Sequence, residues 1–406
     1  MLAASWMLAL PTFAATPAKR VVLPDTVTPR HYRIDFTPDL GALTFKGTVE
    51  IDLDVRRATP AIVLNAADLV IDSASLSGEA SAPSVTLDEK IQTVTLTFGK
   101  PLATGPRKLK LAYHGTIYQS ASGLFALDYQ APQGSARAQL RALFTQFENS
   151  DARRFVPCWD EPGIKSTFEL SATLPAELMP ISNMPVAASE KLAGGLQRVT
   201  FAKSPKMSTY LLFFGAGDFE RVHRVVQGVD IGIVVKRGDT ANAAYALDAT
   251  AELLPYYNDY FGTPYPLPKL DLLAGPGSSQ FFGAMENWGA IFYFERFLLV
   301  DPKVSTQSDK QYVYNVIAHE VAHQWFGDLV TMAWWDDLWL NEGFASWMAN
   351  KATDHFNPAW KVWLQSLPLS RLANRIVSAV PRLGRGGKEE GSVLGALGGL
   401  LDGDNS

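Results

Sequence analysis

The spacing of apolar residues changes along the chain, and this change constrains the fold more than any other feature of the sequence. Up to about residue 220, apolar and polar residues alternate, for example over 45–55 and 93–98. A period of two residues predicts half-buried antiparallel strands. After about residue 240 the spacing becomes helical. The segments with helical spacing are 241–261, 305–327 and 338–351. We therefore expect a multidomain chain, with an N-terminal antiparallel β domain over 20–220 and a mostly helical α+β domain over 221–375.

A few residues set the expected limits of these helices. Pro255 should kink or interrupt the first helix, because proline lacks a backbone N–H and clashes with the preceding turn. Gly327 is expected to end the second helix, since glycine is common just past a helix C-terminus. Asp336 or Asp337 is expected to cap the third.

The two ends of the chain differ in composition from the rest. Residues 1–15 are apolar and uncharged and end in Ala14 and Ala15, which indicates a signal peptide over 1–19. With this signal the protein is exported, to the periplasm or the medium; without it the protein stays in the cytoplasm. Residues 382–406 contain eight glycines, so an irregular Gly-rich tail is expected over 376–406.

The composition excludes several classes of protein. A net charge of −5 disfavours a nucleic-acid-binding protein, which usually has a basic surplus. A single cysteine, Cys158, rules out an intramolecular disulfide and a cysteine-rich zinc finger, and its Pro-Cys-Trp context predicts a buried thiol. Beyond the N-terminus no uncharged apolar run is long enough for a transmembrane segment.

The strongest functional signal is the run His319-Glu320-Val321-Ala322-His323 inside the second helical segment. Residues four apart share one helical face, so both imidazoles can bind one metal ion. Zinc needs a third protein ligand, and Glu342 in the next helix can supply it after a short loop. Glu320 is then the general base. The alternative is a surface helix with two unrelated histidines. The other histidines lack metal-ligand spacing and are expected to be structural or surface residues: His31, His114, His223 and His355.

These residues resemble the M1 family of zinc aminopeptidases, a gluzincin family that includes membrane alanyl aminopeptidase. The resemblance covers about residues 20–365. It rests on the segments 145–148, 151–154 and 157–162, on Gly283-Ala284-Met285-Glu286-Asn287, and on 319–323 with Glu342. It implies a saddle-like β domain followed by a thermolysin-like catalytic domain. It also implies one zinc ion per chain, bound by His319, His323 and Glu342, and peptide substrates with a free N-terminus.

The resemblance also assigns roles in substrate binding. Glu286 would bind the free α-amino group, helped by Gln146 and Glu148, and the backbone of 283–284 would line the cleft beside the scissile carbonyl. The substrate-binding residues implied by the resemblance are Gln146, Glu148, Gly283, Ala284, Met285, Glu286 and Asn287.

The sequence departs from the family pattern after Glu342. No tyrosine follows Glu342, although the family uses one there to stabilise the oxyanion, and Lys388 stands near its expected place. The family's C-terminal helical domain is also missing, so we expect a C-terminally truncated chain with weak catalysis and low stability.

Three functional hypotheses remain from the sequence. The first is a zinc aminopeptidase. The second is a truncated, weakly active or inactive remnant that binds peptides. The third is a related epoxide-opening hydrolase, which the Gly-Ala-Met-Glu-Asn-Trp form of residues 283–288 disfavours.

Overall fold

The structure is a computed structural model that describes residues 20–132, 135, 138–279 and 282–364. The expected signal peptide and the expected Gly-rich tail lie outside the described residues. The described residues fall within one compact unit, so the domain boundaries at 220 and 375 remain predictions.

The N-terminal part of the described chain consists of strands joined by turns. These strands are β1 (Val27–Asp39), β2 (Thr44–Val55), β3 (Thr59–Asn65), β4 (Leu69–Leu76), β5 (Ser84–Asp88), β6 (Thr93–Leu102), β7 (Gly105–Thr116), β8 (Gly123–Gln130), β9 (Gln139–Gln146), β10 (Lys165–Pro175), β11 (Met179–Ser182), β12 (Val186–Leu192), β13 (Leu196–Phe201), β14 (Met207–Ser208) and β15 (Phe214–Gly217). They form three sheets with the orders β12-β13-β10-β1-β2-β7-β4, β11-β15-β9-β8 and β3-β6-β5, and β14 pairs with β10.

The predicted alternation is confirmed in the largest sheet. In β1, Tyr32 and Ile34 are buried and Arg33 between them is exposed, and in β2 Val49 and Ile51 point into the core. One face of this sheet therefore packs on apolar side chains while the other meets solvent. The pairing is antiparallel except between β1 and β10, which run parallel, so the sheet is mixed rather than wholly antiparallel.

Another sheet follows along the chain and supports the helices. Its strands are β16 (Phe219–Val226), β17 (Val229–Lys236), β18 (Lys269–Gly275), β19 (Ala284–Met285) and β20 (Ala290–Phe294). Their order is β16-β17-β18-β20-β19, and β17, β18 and β20 run parallel. Every residue of β18 and β20 is buried, which is typical of central parallel strands covered on both faces.

The helices are α1 (Ala244–Phe261), α2 (Gln307–His323) and α3 (Leu338–Phe356). α1 continues through Pro255 to Phe261, so of the two expected effects of this proline the interruption is wrong. α2 begins with a capping box between Thr306 and Asp309 and ends at His323, before Gly327. Asp337 occupies the N-cap position of α3, as expected. Its side chain, however, makes no capping hydrogen bond. Among the described helices, none combines the length and hydropathy that a membrane crossing needs.

Hydrogen bonds from two buried tyrosine hydroxyls join α1 and α2. The Tyr257 hydroxyl in α1 donates to the Ala318 carbonyl of α2 at 2.8 Å, and the Tyr314 hydroxyl donates to Glu252 Oε1 at 2.7 Å. Because these contacts join α1 to the middle of α2, they fix the position of the following turn, which carries His319 and His323.

The cysteine and the remaining histidines occupy structural or surface positions, as expected. Cys158 is fully buried, and burial raises the pKa of its thiol well above the usual value. His114 and His223 each pair with an aspartate, Asp72 at 2.9 Å and Asp230 at 2.8 Å. None of these residues belongs to a group of potential metal ligands in the part of the chain that is described.

Candidate metal centre

The two histidines of the sequence motif meet at the C-terminal end of α2. His319 and His323 are four residues apart on one helical face, and their Nε2 atoms lie 2.9 Å apart. Two nitrogens that each lie about 2.0–2.1 Å from one zinc ion are separated by a distance of this order. Both residues are buried, so the imidazole pair is held by the protein interior.

The outer ring nitrogens orient both imidazoles. His323 Nδ1–H donates to the Phe326 carbonyl at 2.8 Å, and because a carbonyl can only accept, the lone pair of the neutral ring lies on Nε2. His319 Nδ1 lies 3.3 Å from the Ser346 hydroxyl of α3. A carbonyl partner such as that of Phe326 fixes the tautomer of a histidine, whereas the serine hydroxyl can either donate or accept.

The chain turns sharply next to His323, and a glycine makes this possible. Gly327 has a φ of +133°, and a Cβ at this position would lie 3.2 Å from His323 Nδ1. A larger residue would be strained and would press on the imidazole. Gly327 therefore does have a structural role, but it allows this turn and does not end α2, which stops at His323.

Glu342 comes from α3 and completes the group. Its Oε2 lies 3.4 Å from His319 Nε2, and its Oε1 lies 3.7 Å from His323 Nε2. One ligand atom from each of the three residues falls within 4.8 Å of the others. Two imidazoles and a carboxylate form a common donor set for a divalent metal ion. The residues present therefore fit a metal ion, and the predicted ligand set is brought together.

Glu320 lies beside this group without being part of it. A second set of ligand atoms within 4.8 Å of one another comes from Glu286, Glu320 and His323, all of which are buried. Glu320 is therefore a carboxylate close to one of the potential metal ligands but outside the three-residue group. This is the position expected of a general base rather than of a ligand.

The electrostatics of the cleft favour positive charge. Burial lowers the pKa of His323, but the carboxylates around it, with Glu286 and Glu342 foremost, raise the pKa above its usual value. Burial and the nearby Glu286 raise the pKa of Asp328 well above normal. Several buried carboxylates thus repel one another in one place, and a cation that binds among them relieves the repulsion.

The loop that carries Glu286, residues 283–289, is held against β20. The Phe294 backbone N–H donates to the Gly283 carbonyl at 3.0 Å, and Ala284 and Met285 form β19. Met285 and Asn287 are buried, and both polar atoms of the Asn287 amide have no hydrogen-bond partner among the described residues. We refer to residues 283–289 as the Glu286 loop.

The predicted residues from the N-terminal domain lie at the end of β9. Gln146 is the last residue of this strand and is buried, and Glu148 follows two residues later. Burial and the carboxylates of Glu286 and Glu148, among others, hold the pKa of Tyr210 well above its usual value. Glu148 and Glu286 therefore both influence the same phenol electrostatically, although they come from distant parts of the chain.

Sequence reasoning did not single out Tyr210 or Gln324. Tyr210 is buried, its hydroxyl lies 3.3 Å from the Gly327 carbonyl, and its ring contacts the Trp335 ring edge-on. Gln324 directly follows His323, and this adjacency to the motif was the signal that could have identified it.

The fold, together with a group of potential metal ligands and a further buried carboxylate beside it, fits a metal-dependent hydrolase. Comparison with known sequences agrees. Residues 28–211 match the Peptidase M1 N-terminal domain model, and residues 245–378 match the Peptidase family M1 domain model. The chain therefore belongs to peptidase family M1, a family of peptide hydrolases, and the expected β domain followed by a peptidase domain is confirmed.

Individual relatives carry aminopeptidase names. The chain is 45% identical over 326 residues to aminopeptidase N of Acetobacter pasteurianus, covering 80% of this chain and 90% of that protein. It is 43% identical over 353 residues to aminopeptidase M1 of Arabidopsis thaliana, covering 85% of this chain and 39% of the relative. It is 39% identical over 355 residues to human endoplasmic reticulum aminopeptidase 1, covering 85% of this chain and 37% of the relative. The chain thus spans nearly all of the bacterial relative and well under half of the plant and human ones.

Proposed function

We propose that this protein is a zinc-dependent aminopeptidase that removes N-terminal residues from peptides. The observation that carries the proposal is that two groups share His323. One is the imidazole–carboxylate group of His319, His323 and Glu342, and the other places Glu286 and Glu320 beside the same imidazole. A metal group and a negatively charged pocket in contact with each other suit a substrate that has a cationic end next to the bond to be cleaved.

Zinc is the metal ion that we propose, one per chain, held by His319, His323 and Glu342. Two imidazole nitrogens and one carboxylate form a three-residue ligand set typical of catalytic zinc, which keeps a further position open. Zinc bound there supplies a Lewis acid that polarises the substrate carbonyl and lowers the pKa of a water towards about 7.

Glu320 handles the proton in this proposal. As general base its carboxylate takes a proton from the attacking water, and as general acid it returns that proton to the departing amine. Its buried position beside His323 supports this role, because a carboxylate shielded from solvent keeps the transferred proton close to the reacting atoms.

Glu286 binds the α-ammonium group, with Glu148 and Gln146 beside it. The carboxylate of Glu286 is buried among other acidic groups, so a cation relieves its repulsion. The buried Gln146 Oε1 has no hydrogen-bond partner among the described residues and can accept from the same ammonium. Backbone at 283–284 lines the cleft next to the scissile carbonyl, with Met285 and Asn287 behind it.

The test uses a leucyl anilide with a free α-amino group and its N-acetylated form. We expect turnover of the free compound only, loss of turnover with a chelator, and recovery on adding zinc. Acetylation removes the charge that Glu286 recognises and adds bulk at that end of the cleft. Equal rates on both compounds would contradict the proposal.

A second outcome separates the enzyme from a peptide-binding remnant. The same chain is titrated with a free and an N-acetylated peptide in a direct binding measurement. Selective binding of the free peptide without chelator-sensitive turnover would favour the remnant. A parallel assay with an epoxide substrate tests the third hypothesis.

We also propose that the protein is exported, on the strength of the uncharged apolar segment 1–15. N-terminal sequencing of the protein from its native host tests this. A mature N-terminus near residue 16–20 in an extracytoplasmic fraction supports export, and an intact Met1 in the cytoplasm contradicts it.

A further inference from the structure

The Glu286 loop is attached to α2 by the side chain of one glutamine. Gln324 Nε2 donates to the Glu286 carbonyl at 3.1 Å, and the Gly289 backbone N–H donates to Gln324 Oε1 at 3.1 Å. The two ends of one amide group thus hold both ends of the segment 286–289. Gln324 is fully buried and directly follows His323.

Other side chains fix the end of the loop that lies farther from the cleft. Lys269 Nζ donates to the Gly289 carbonyl at 2.8 Å, with Asp271 as its counter-ion at 2.8 Å. Asn183 Nδ2, from the N-terminal domain, donates to the Trp288 carbonyl at 2.9 Å. Residues 288 and 289 therefore stay anchored when Gln324 changes, whereas the backbone of Glu286 loses a direct link to the metal-bearing helix.

Gly289 leaves little room for this segment to shift towards the N-terminal domain. Its φ is +79°, and a Cβ there would lie 2.5 Å from the Asn183 carbonyl oxygen. With that side closed, the loop is clamped between Asn183 and Gln324. The separation between the Glu286 carboxylate and the ligands at the end of α2 then depends on the length and the hydrogen bonds of the Gln324 side chain.

We propose that Gln324 is a positioning residue for substrate recognition, which sets the place of Glu286 relative to the metal ligands His319 and His323. This inference rests on the proposed function, in which Glu286 binds the α-ammonium group. A glutamine suits the task because it offers a donor for a carbonyl and an acceptor for an N–H in one rigid group. Neither an ionised glutamate nor a methionine provides both.

The decisive variant is Gln324→Glu. It has the same size and still accepts from the Gly289 N–H, but its ionised carboxylate cannot donate to the Glu286 carbonyl and places negative charge against it, so the assay is run at a pH at which the residue is ionised. We expect KM for a leucyl anilide to rise about 10- to 10²-fold, the range associated with small misplacements of a binding group, while kcat stays nearly unchanged. Gln324→Met, which carries no charge, should raise KM in the same direction and excludes a purely electrostatic effect.

Coupling to Glu286 distinguishes positioning from general damage to the fold. In a Glu286→Gln background, the additional Gln324→Glu change should raise KM by much less than it does in the parent, because the two residues act through one contact. Full additivity would overturn the proposal, and so would an unchanged KM in both Gln324 variants.

A matched control is available in the N-terminal domain. Gln197 Nε2 donates to the Leu178 carbonyl at 2.7 Å, so Gln197→Glu removes the same type of hydrogen bond far from the cleft along the chain. This control should leave KM unchanged. Zinc content and thermal midpoint are measured for every variant, and a kcat loss that tracks zinc loss in the Gln324 variants would contradict a role in positioning. Should the parent itself fail to discriminate free from acetylated substrate, the proposed function fails before any variant is made.

Discussion

Two groups of carboxylates in this molecule have pKa values shifted in opposite directions. On the outer face of the β1–β2–β7 sheet, Glu50 lies among Arg33 at 2.8 Å, Lys110 at 3.0 Å and Lys108. Burial raises the pKa of Glu50, but hydrogen bonds from Lys108 and Lys110 outweigh it, and the net pKa falls to about 2. In the cleft, burial and the neighbouring Glu286 push the pKa of Asp328 in the opposite direction.

The difference shows which region serves stability and which serves binding. Cross-strand pairs of opposite charge on a sheet surface add a little to stability and demand nothing from a ligand. Buried groups of like charge cost free energy in the folded protein, and the cost is offset when one of them is protonated or when a cation binds among them. The carboxylates of Glu286 and Glu320 are both buried. In the proposed function, this cost in stability is what makes the site favour a cationic substrate group.

The largest expected effect comes from removing a metal ligand. We expect His323→Ala to lose zinc and with it all detectable peptidase activity, because His323 belongs to both the metal group and the carboxylate group. Metal analysis of the purified protein, set against one zinc per chain in the parent, checks this. His114→Ala, which removes a surface histidine paired with Asp72, is the control and should keep its zinc. Stoichiometric zinc in His323→Ala would show that the ligand assignment is wrong.

The next largest effect distinguishes the proposed general base, Glu320, from the proposed zinc ligands. We expect Glu320→Gln to keep zinc and to lower kcat by about 10²–10⁴-fold, since a neutral amide cannot accept the proton. Zinc content and steady-state kinetics on one sample decide the matter. Parent-level turnover would rule out Glu320 as the base, and zinc loss would make it a ligand.

Much of this site could be predicted from the sequence, because its spacing is local. His319, Glu320 and His323 occupy one helical turn, and Glu342 needed only a short connection to a second helix. The strands β1 and β2 could be predicted for a similar reason. Each has one face in solvent, so apolar and polar residues alternate over a few neighbouring positions. Strands β18 and β20 were missed, because strands buried on both faces show no alternation.

The contacts that orient the site could not be predicted in this way. Gln324 reaches Glu286, which is 38 residues away in sequence, and Asn183 reaches Trp288, which is 105 residues away. Such pairs depend on how the loop, the helix and the N-terminal domain pack together, and no periodic pattern encodes them. Tyr210 was missed for the same reason.

A third prediction concerns the ammonium site and is smaller. A charge-assisted hydrogen bond contributes about 1.5–3 kcal/mol, which corresponds to roughly 10- to 10²-fold in binding. We expect Glu286→Gln to raise KM for the free leucyl anilide by this factor. Binding of the acetylated anilide, measured as inhibition of turnover, should not change, because that compound has no charge to lose. An equal loss on both compounds would place Glu286 in a role other than ammonium recognition.

The smallest expected effect lies in the outer charge cluster and tests the other half of the comparison. The pKa of Glu50 is about 2 in the folded protein and near 4.5 as an ordinary glutamate. A carboxyl whose pKa is depressed by folding stabilises the protein above its unfolded pKa, and this stabilisation is lost as the pH falls through the folded pKa. We therefore expect Glu50→Gln to lower the free energy of unfolding at pH 7 by less than about 1 kcal/mol, because the partners are partly exposed and screened by solvent. The difference from the parent should shrink between about pH 4.5 and pH 2. Denaturant unfolding at several pH values measures this difference.

Glu89→Gln is the control, since Glu89 is exposed and makes no ion pair among the described residues. A Glu50→Gln effect that stays constant from pH 7 to pH 2 would show that the residue acts through packing rather than through its charge.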